Sequence, residues 1–315
     1  MKYELQLVDA IPASIEQPSL PNIKIAYMIL VHRFPEQFKR LFNAIYDPEN
    51  CYLIHIDKKA GEEIHETLKD FLKPYTNVFI FKSQNVIWGG YSMVQAELDG
   101  MRFLLDTKIE WDYFINLSGQ DFPLRSQKII REFLSGSRGK NFIKVADQKI
   151  KRPDTMNRIE YYFEEVEDKV SLQKFKRKYL DNVTPYIGGQ WMMLTRDCCS
   201  FICNSTEVKK FEDYYKNTLI ADESFFQTVL MNTSYRGILI DDDKRAIVWI
   251  PDGDIKLRPK TFTITDYKFL SLSDSLFARK FDDTIDNDII NKMKLHYNAS
   301  LVLKEKAVSS FVLRK

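Results

Sequence analysis

At 315 residues, with 44% hydrophobic and 13% aromatic side chains, the chain can bury one large core or two modest ones, which excludes a wholly disordered polypeptide. Its 46 basic and 44 acidic residues leave a formal net charge of +2, so no global field points to nucleic acid or an anionic membrane, and any cationic site must be local. The longest apolar run, IAYMILV at 25–31, falls far short of the roughly 20 residues that span a bilayer, and MKYELQLVDA is too charged for a signal peptide, so a soluble cytoplasmic protein is expected.

From residue 23, short apolar runs rich in Ile, Val, Tyr and Phe alternate with segments of helical length. IKIAYMILV (23–31), CYLIHID (51–57), NVFIF (77–81) and DYFINLS (112–118) read as strands. Between them PEQFKRLFNAIY, GEEIHETLKDFLK and SMVQAELDGMRFLLD repeat apolar residues at i, i+3, i+4 and i+7, the pattern of amphipathic helices. The alternation predicts an α/β fold, a mostly parallel sheet flanked by helices, with ligands at the carboxyl ends of its strands. Beyond residue 140 the alternation weakens into a less regular C-terminal half. Residues 151–180 are dense in charge and read as a solvated loop or helix pair. PYIGGQWMMLTRDCCSFIC reads as strand then helix, ADESFFQTVLMN (221–232) as a helix capped by Ala221 or Asp222, GILIDDD and AIVWI as two strands, and 265–303 as helical in places.

Cys51, Cys198, Cys199 and Cys203 are too few and too clustered for a disulfide framework. Cys199 and Cys203 stand one helical turn apart, but nothing nearby completes four metal ligands, so buried apolar thiols are expected.

VHRFPEQ follows the first strand without a glycine, and neither G-x-G-x-x-G nor G-x-x-x-x-G-K-[ST] occurs. A classical dinucleotide fold and a P-loop are thereby excluded, and side chains must hold the charge of any phosphorylated nucleotide. Asp57 ends the second strand, where a carboxylate can receive hydrogen bonds from a nucleoside or cap a turn. WGGYS (88–92) suits a base-stacking edge with close backbone approach, or a tight loop. After the fourth strand, Gly119-Gln120-Asp121 supplies one carboxylate where many nucleotide-sugar transferases of such a fold carry Asp-x-Asp for a divalent cation, and Ser126 can cap the next helix. Asp-x-Asp does occur at 241–243, 252–254 and 286–288, but none follows a strand of the N-terminal half. One carboxylate holds Mg²⁺ or Mn²⁺ poorly, so a leaving diphosphate would need cations; Arg258, Lys260, Arg279 and Lys280 are the candidates.

Taken in order, IAYMILVHRFPEQFKRLFNAIYDPEN, YLIHIDKKA, VIWGGYSMVQAEL, WDYFINLSGQDFPLRS, ADESFFQTVLMNT and LFARKFD span roughly residues 23–285. The chain resembles the core-2/I-branching β-1,6-N-acetylglucosaminyltransferases and the related peptide O-xylosyltransferases. The resemblance implies a single GT-A-like domain over 23–285, with a nucleotide-binding half (23–140) and an acceptor-binding, catalytic half (141–285). An extension (1–22) precedes it, and a tail (286–315) packs on the domain. It implies an inverting transferase that moves a sugar, GlcNAc or xylose, from a UDP-sugar to a glycan hydroxyl in a β linkage, without metal or other cofactor. Val31, His32 and Asp57 would then surround the uridine, with Trp88 and Ser92 in the nucleotide-proximal loop. Arg258, Arg279 and Lys280 would hold the diphosphate, and Asp121 would face the sugar. Glu160, Lys174 and Trp191 would contact sugar or acceptor, and Glu223 would be the catalytic base. The implied partners are the UDP-sugar and an oligosaccharide or glycan acceptor, with peripheral contact to a membrane-borne acceptor and no nucleic acid.

Two departures from the family pattern stand out. Xylosyltransferases show an acid before Trp191, where this chain has Gln190. Animal members are membrane-anchored, lumenal and disulfide-rich, which this sequence is not, so a bacterial or viral cytoplasmic relative is expected. The rival reading is a non-catalytic nucleotide-sugar sensor or scaffold, against which the presence of Glu223 with Lys280 speaks. A glycoside hydrolase would need two acids flanking one bond, and neighbours such as Asp222 and Glu223 diverge on a helix.

Overall fold

The computed structural model describes residues 22–172, 175–253 and 256–297. Strands β1 (Ile25–Val31), β2 (Cys51–Ile56), β3 (Val78–Phe81) and β4 (Tyr113–Ser118) form one side of a seven-stranded sheet. From the far edge inward the order is Ile238–Ile240, β6 (Lys140–Ile143), Met192–Thr195, β4, β1, β2, β3. Every strand runs the same way except Met192–Thr195, which is antiparallel to both neighbours. The expected mixed α/β architecture with a mostly parallel sheet is what forms.

The near-continuous apolar runs of β1, β2 and β4 exist because both faces of these strands are covered. Alternation sorts them between two cores: Ala26, Met28 and Leu53 face α3 (Ser92–Asp106) and the helices Arg196–Asn204 and Phe225–Asn232. Tyr27, Ile29 and Ile54 face α1 (Pro35–Ile45), α2 (Glu62–Leu72) and α4 (Gln127–Ser135). Pro35 opens α1 with its fixed φ, and the Ser126 hydroxyl accepts from Ile129 N at 3.4 Å to cap α4. The four cysteines are free thiols, with Cys51, Cys198 and Cys199 buried.

A second, three-stranded sheet lies at the carboxyl ends of β1 and β4. Phe277–Arg279 is its centre, parallel to Arg245–Ile247 and antiparallel to β5 (Asp121–Pro123), so Arg279 lies opposite Asp121. A third apolar cluster beneath it includes Phe122, Phe262 and Phe281 and extends to Ile289, Ile290 and Met293.

Three segments differ from expectation. Among its described residues the charged stretch 151–180 contains a short helix, Asn157–Glu160, and a hairpin pairing Glu165–Val166 with Lys169–Val170. Stacking of Phe175 on Tyr162 (centroids 4.8 Å apart) and of the Arg177 guanidinium on Tyr214 (3.9 Å) holds that arm to the body. ADESFFQTVLMN is no single helix: Ile220 takes a left-handed conformation (φ 52°), Ala221–Glu223 make one 3₁₀ turn, and the α-helix starts at Phe225. Neither Ala221 nor Asp222 caps it. AIVWI is split between Arg245–Ile247 and the separate hairpin strand Trp249–Asp252.

Candidate active site

The carboxyl ends of β1, β2 and β4 are stitched together. Asp57 N–H donates to the Val31 carbonyl (2.8 Å), and Gly119 N–H to the Leu30 carbonyl (2.9 Å). Asp57 caps the turn that follows β2: Oδ1 accepts from Lys59 N (2.7 Å) and Oδ2 from Val86 N (3.2 Å). Its carboxylate therefore fixes both the post-β2 turn and the loop leading to Trp88. In that loop Trp88 is 70% exposed, and the Ser92 hydroxyl accepts from Ile87 N (2.8 Å) while Ser92 N donates to Glu165 Oε1 (2.6 Å). A side chain at Gly90 would run into that Glu165 carboxylate, which explains one of the two glycines of WGGYS.

Cations gather beside these ends. Gln37 Nε2 donates to the carbonyls of Gly119 (3.0 Å) and Phe281 (3.1 Å), and Phe281 N donates to the Gln120 carbonyl (2.8 Å). This clamp sets Lys280 and Arg279 next to His32-Arg33. Arg33 leans on Gln120 Oε1 (3.0 Å). Burial, then the positive charges of Arg33, Arg279 and Arg258, lower the Lys280 pKa. Partial withdrawal from water, followed by Arg33, Arg279 and Lys280 and offset only by Asp57, takes His32 down to about 4. Among the described residues no carboxylate comes within 4 Å of the Arg33 or Lys280 charge. Arg258 pairs loosely with Asp252 (3.6 Å), and Lys260 is consumed by Asp266 (2.5 Å).

Asp121 is the internal counter-ion of this group. It is 0% exposed; Oδ2 accepts from Ser118 N (2.9 Å) and Arg245 Nη1 (3.3 Å), and Oδ1 from Arg279 Nη1 (3.0 Å). Its oxygens thus meet backbone and guanidinium rather than the open cleft. Trp191 lies between the same arginines, 4.9 Å from the Arg245 guanidinium and 4.5 Å from that of Arg279.

Three residues back along the chain from Trp191, Gly188 N–H donates to the Glu223 carbonyl (2.8 Å), and Ile220 N–H donates to the Gly89 carbonyl (2.6 Å). Three residue steps reach at most about 10 Å, so the turn carrying Glu223 and the arginine-flanked Trp191 are neighbours at this end of the sheet. The Glu223 side chain is 25% exposed, and Oε2 accepts from Arg158 Nη1 at 2.7 Å. No hydrogen bond to Oε1 is made among the described residues. Asp222 beside it is buried, and burial first, then the Glu223 charge, pushes its pKa up to about 7. Glu160, on the same short helix as Arg158, faces Lys176 (3.5 Å). Lys174 lies outside the described residues.

The structure thus brings Val31, His32, Asp57, Arg279, Lys280, Asp121, Trp191 and Glu223 to one edge of the sheet, with Trp88 and Ser92 in the loop that Asp57 and Ile220 tie down. Arg258 joins through its field on Lys280. Sequence reasoning passed over Arg33, Arg158 and Arg245. Arg33 is in the quoted VHRFPEQ, and Arg245 is a charge at the head of the apolar run AIVWI, which is signal enough. Nothing local marks Arg158. Among the described residues no group of three or more His, Cys, Asp or Glu side chains is placed to hold a metal ion, and no helix is long and apolar enough to cross a membrane.

The family model described as Core-2/I-Branching enzyme matches residues 25–273. The chain belongs to this family of glycosyltransferases. It is similar to a xylosyltransferase of Ciona intestinalis, 30% identical over 301 residues covering 90% of this chain and 35% of that protein. It is also similar to xylosyltransferase 2 of Rattus norvegicus (32% over 304 residues, 90% and 35%) and of Homo sapiens (31% over 298 residues, 89% and 34%). The chain spans about a third of the length of these relatives. Membership agrees with the resemblance read from the motifs, and the sheet with its flanking helices is consistent with a GT-A-like fold.

Proposed function

We propose that this chain is an inverting glycosyltransferase that moves a sugar, GlcNAc or xylose, from a UDP-sugar to a hydroxyl of a glycan or protein acceptor. The observation that carries the reading is a half-free carboxylate, Glu223, at one end of the Gly188–Trp191 segment and positive charge near the other, from Arg33 and Lys280, which no carboxylate pairs among the described residues, and from Arg279, which Asp121 holds on one side.

Inversion asks for those two elements in line. Glu223 Oε1 accepts the acceptor's proton as its oxygen bonds to the anomeric carbon. The bond from that carbon to the diphosphate oxygen breaks, and UDP departs with the electron pair. Arg158, bound to Oε2, keeps Oε1 turned toward the incoming hydroxyl. Arg279 and Lys280, with Arg33 and Arg258, offset the charge growing on the leaving phosphate, work that a divalent cation performs elsewhere. Asp57 and the His32 end of β1 sit where a nucleoside edge would lie, with Trp88 as a stacking face. Gln190 in place of an acid leaves Glu223 as the base.

The test is release of UDP from a panel of UDP-sugars, with and without glycan and peptide acceptors, in wild type and Glu223→Gln. The variant is expected to lose about 10²–10⁴ in kcat while still binding the nucleotide. Equal release by both proteins removes Glu223 from the reaction. Nucleotide binding without release under any acceptor would make the chain a sensor. Added EDTA should leave the rate unchanged, and its loss would overturn the metal-free mechanism.

A further inference from the structure

The inner face of α3 carries a carboxylate that the mechanism leaves unused. Glu97 is 0% exposed and sits beneath the Gly188–Met192 segment. Its Oε1 accepts from Asn116 Nδ2 (2.7 Å) and from Gln190 Nε2 (3.1 Å), whereas Oε2 is buried with no hydrogen-bond partner. Asn116, also fully buried, donates in addition to the Gln190 carbonyl (2.9 Å) and accepts from Met192 N (2.9 Å). The same segment holds the Glu223 carbonyl through Gly188 N (2.8 Å) and receives Gln227 Nε2 on the Gly189 carbonyl (2.8 Å).

We propose that Glu97 is a positioning residue for the proposed transfer: by receiving the Gln190 and Asn116 amides on one oxygen it fixes the Gly188–Trp191 segment, and through it the carboxylate of Glu223. The inference rests on the glycosyl-transfer reading for its kinetic consequence, not for its structural one.

The geometry sets the working charge state. Burying a full negative charge with one oxygen unpaired costs far more than burying a neutral carboxyl whose Oε2 hydroxyl goes unpaired, so Glu97 works as the uncharged acid. Burial takes its pKa up to about 8, with the Asp222 charge acting in the same direction against the pull of the two amides. From β4 the group facing it is Asn116, with Arg245 on the far side of the Asn116 carbonyl (2.5 Å). From the 188–191 segment it is Gln190, and from the 221–223 turn Asp222. On α3 itself Asp99 is engaged by Gln84 and Gln95, and Arg102 by Glu212; Arg196, on the helix packed behind α3, lies over Trp111. The pair is also matched in polarity. With the Glu97 proton on Oε2, Oε1 only accepts and residue 190 must donate to it, so an ionised acid at 190 would set two acceptors against each other.

Two readouts test this. In the first, rates are normalised within each protein to pH 7. Wild type should fall about tenfold further by pH 9 than Glu97→Gln, whose amide reproduces the uncharged acid and cannot ionise. Gln190→Glu should lose activity, and Glu97→Gln/Gln190→Glu, with donor and acceptor exchanged, should recover a large part of it through kcat. Equal pH ratios in wild type and Glu97→Gln, or no recovery in the exchanged pair, overturn the proposal.

The second readout needs no turnover. The folded pKa of Glu97 lies above its unfolded value, so the native state holds the extra proton and wild-type stability declines as pH rises from about 4.5 to about 8. The Tm of wild type relative to Glu97→Gln should therefore fall between pH 5 and pH 9, and a constant difference overturns the uncharged-acid assignment. Should the variant not fold, the infrared carbonyl band of a buried protonated carboxyl, sought in wild type at neutral pH, decides the same question. A protein that transfers no sugar but passes this second test fails as a transferase, not in its Glu97 assignment.

Discussion

Asp121→Asn separates a sugar contact from an internal counter-ion. The substitution keeps the shape and an acceptor for Ser118 N, but removes the charge that Arg245 and Arg279 share at 3.3 and 3.0 Å. At an effective dielectric of 20 each attraction is worth about 5 kcal/mol before desolvation. Breaking a buried pair costs about 3–5 kcal/mol net, because the remaining charge stays enclosed. The Arg245 side chain is 0% exposed, so the full penalty applies to it. Unfolding entropy of about 2.1 cal/mol/K per residue, over 315 residues, converts that into a Tm lower by about 5–8 °C. Scanning calorimetry at one protein concentration and ionic strength measures it, with donor KM measured beside it. An unchanged Tm with a raised donor KM would refute the counter-ion reasoning and return Asp121 to the sugar.

Lys280→Ala should lower kcat/KM by about 10²–10³ with little change in Tm, because Lys280 makes no ion pair among the described residues; a rate within twofold of wild type would remove it from the diphosphate. His32, held near 4 by withdrawal from water and by three cations, stays neutral at pH 6 in the free protein. Saturating UDP should bring anionic charge to those cations and raise its pKa, followed by NMR of the imidazole protons; no shift on UDP binding would place the phosphates elsewhere. Raising salt should weaken UDP binding, since charge held by partly exposed side chains is screened over about 8 Å at 0.15 M ionic strength, and a calorimetric Kd flat with salt would contradict a cationic diphosphate site.

What the sequence showed plainly was what burial imposes on it. Strands buried on both faces must be apolar throughout, so β1, β2 and β4 announced themselves, and with them the edge of the sheet where ligands bind. The turns were hidden because their causes are distant. Ile220 adopts φ 52° while its N–H is held by the Gly89 carbonyl, more than a hundred residues away, and no local residue preference signals that. The charge around the hairpin at 165–170 points to solvent, yet Glu165 is what fastens it to Ser92. Glu97 left a trace that went unread: Val94, Leu98 and Met101 form an apolar stripe on α3, and an acid one turn from two of them had to be buried as well. Arg158 meets Glu223 across 65 residues, a pairing that only the fold creates.

The single acid after β4 follows from the same electrostatics. A side chain at Gly119 would point at the Val31 methyl (3.6 Å) and at the carbonyls of Arg33 and Leu30 (both 3.9 Å), so a carboxylate there would meet acceptors and hydrocarbon rather than donors. Asp121, two residues on, already spends its oxygens on Ser118, Arg245 and Arg279. With one position hostile to an anion and the other committed inward, this strand end turns a positive face to the cleft. Asp121 balances Arg245, which never reaches the cleft, and anchors Arg279, which does. The positive charge left over on Arg279, Arg33 and Lys280 is carried by the chain and held on three tied segments. On the proposed reading it meets the leaving diphosphate without waiting for an ion to bind.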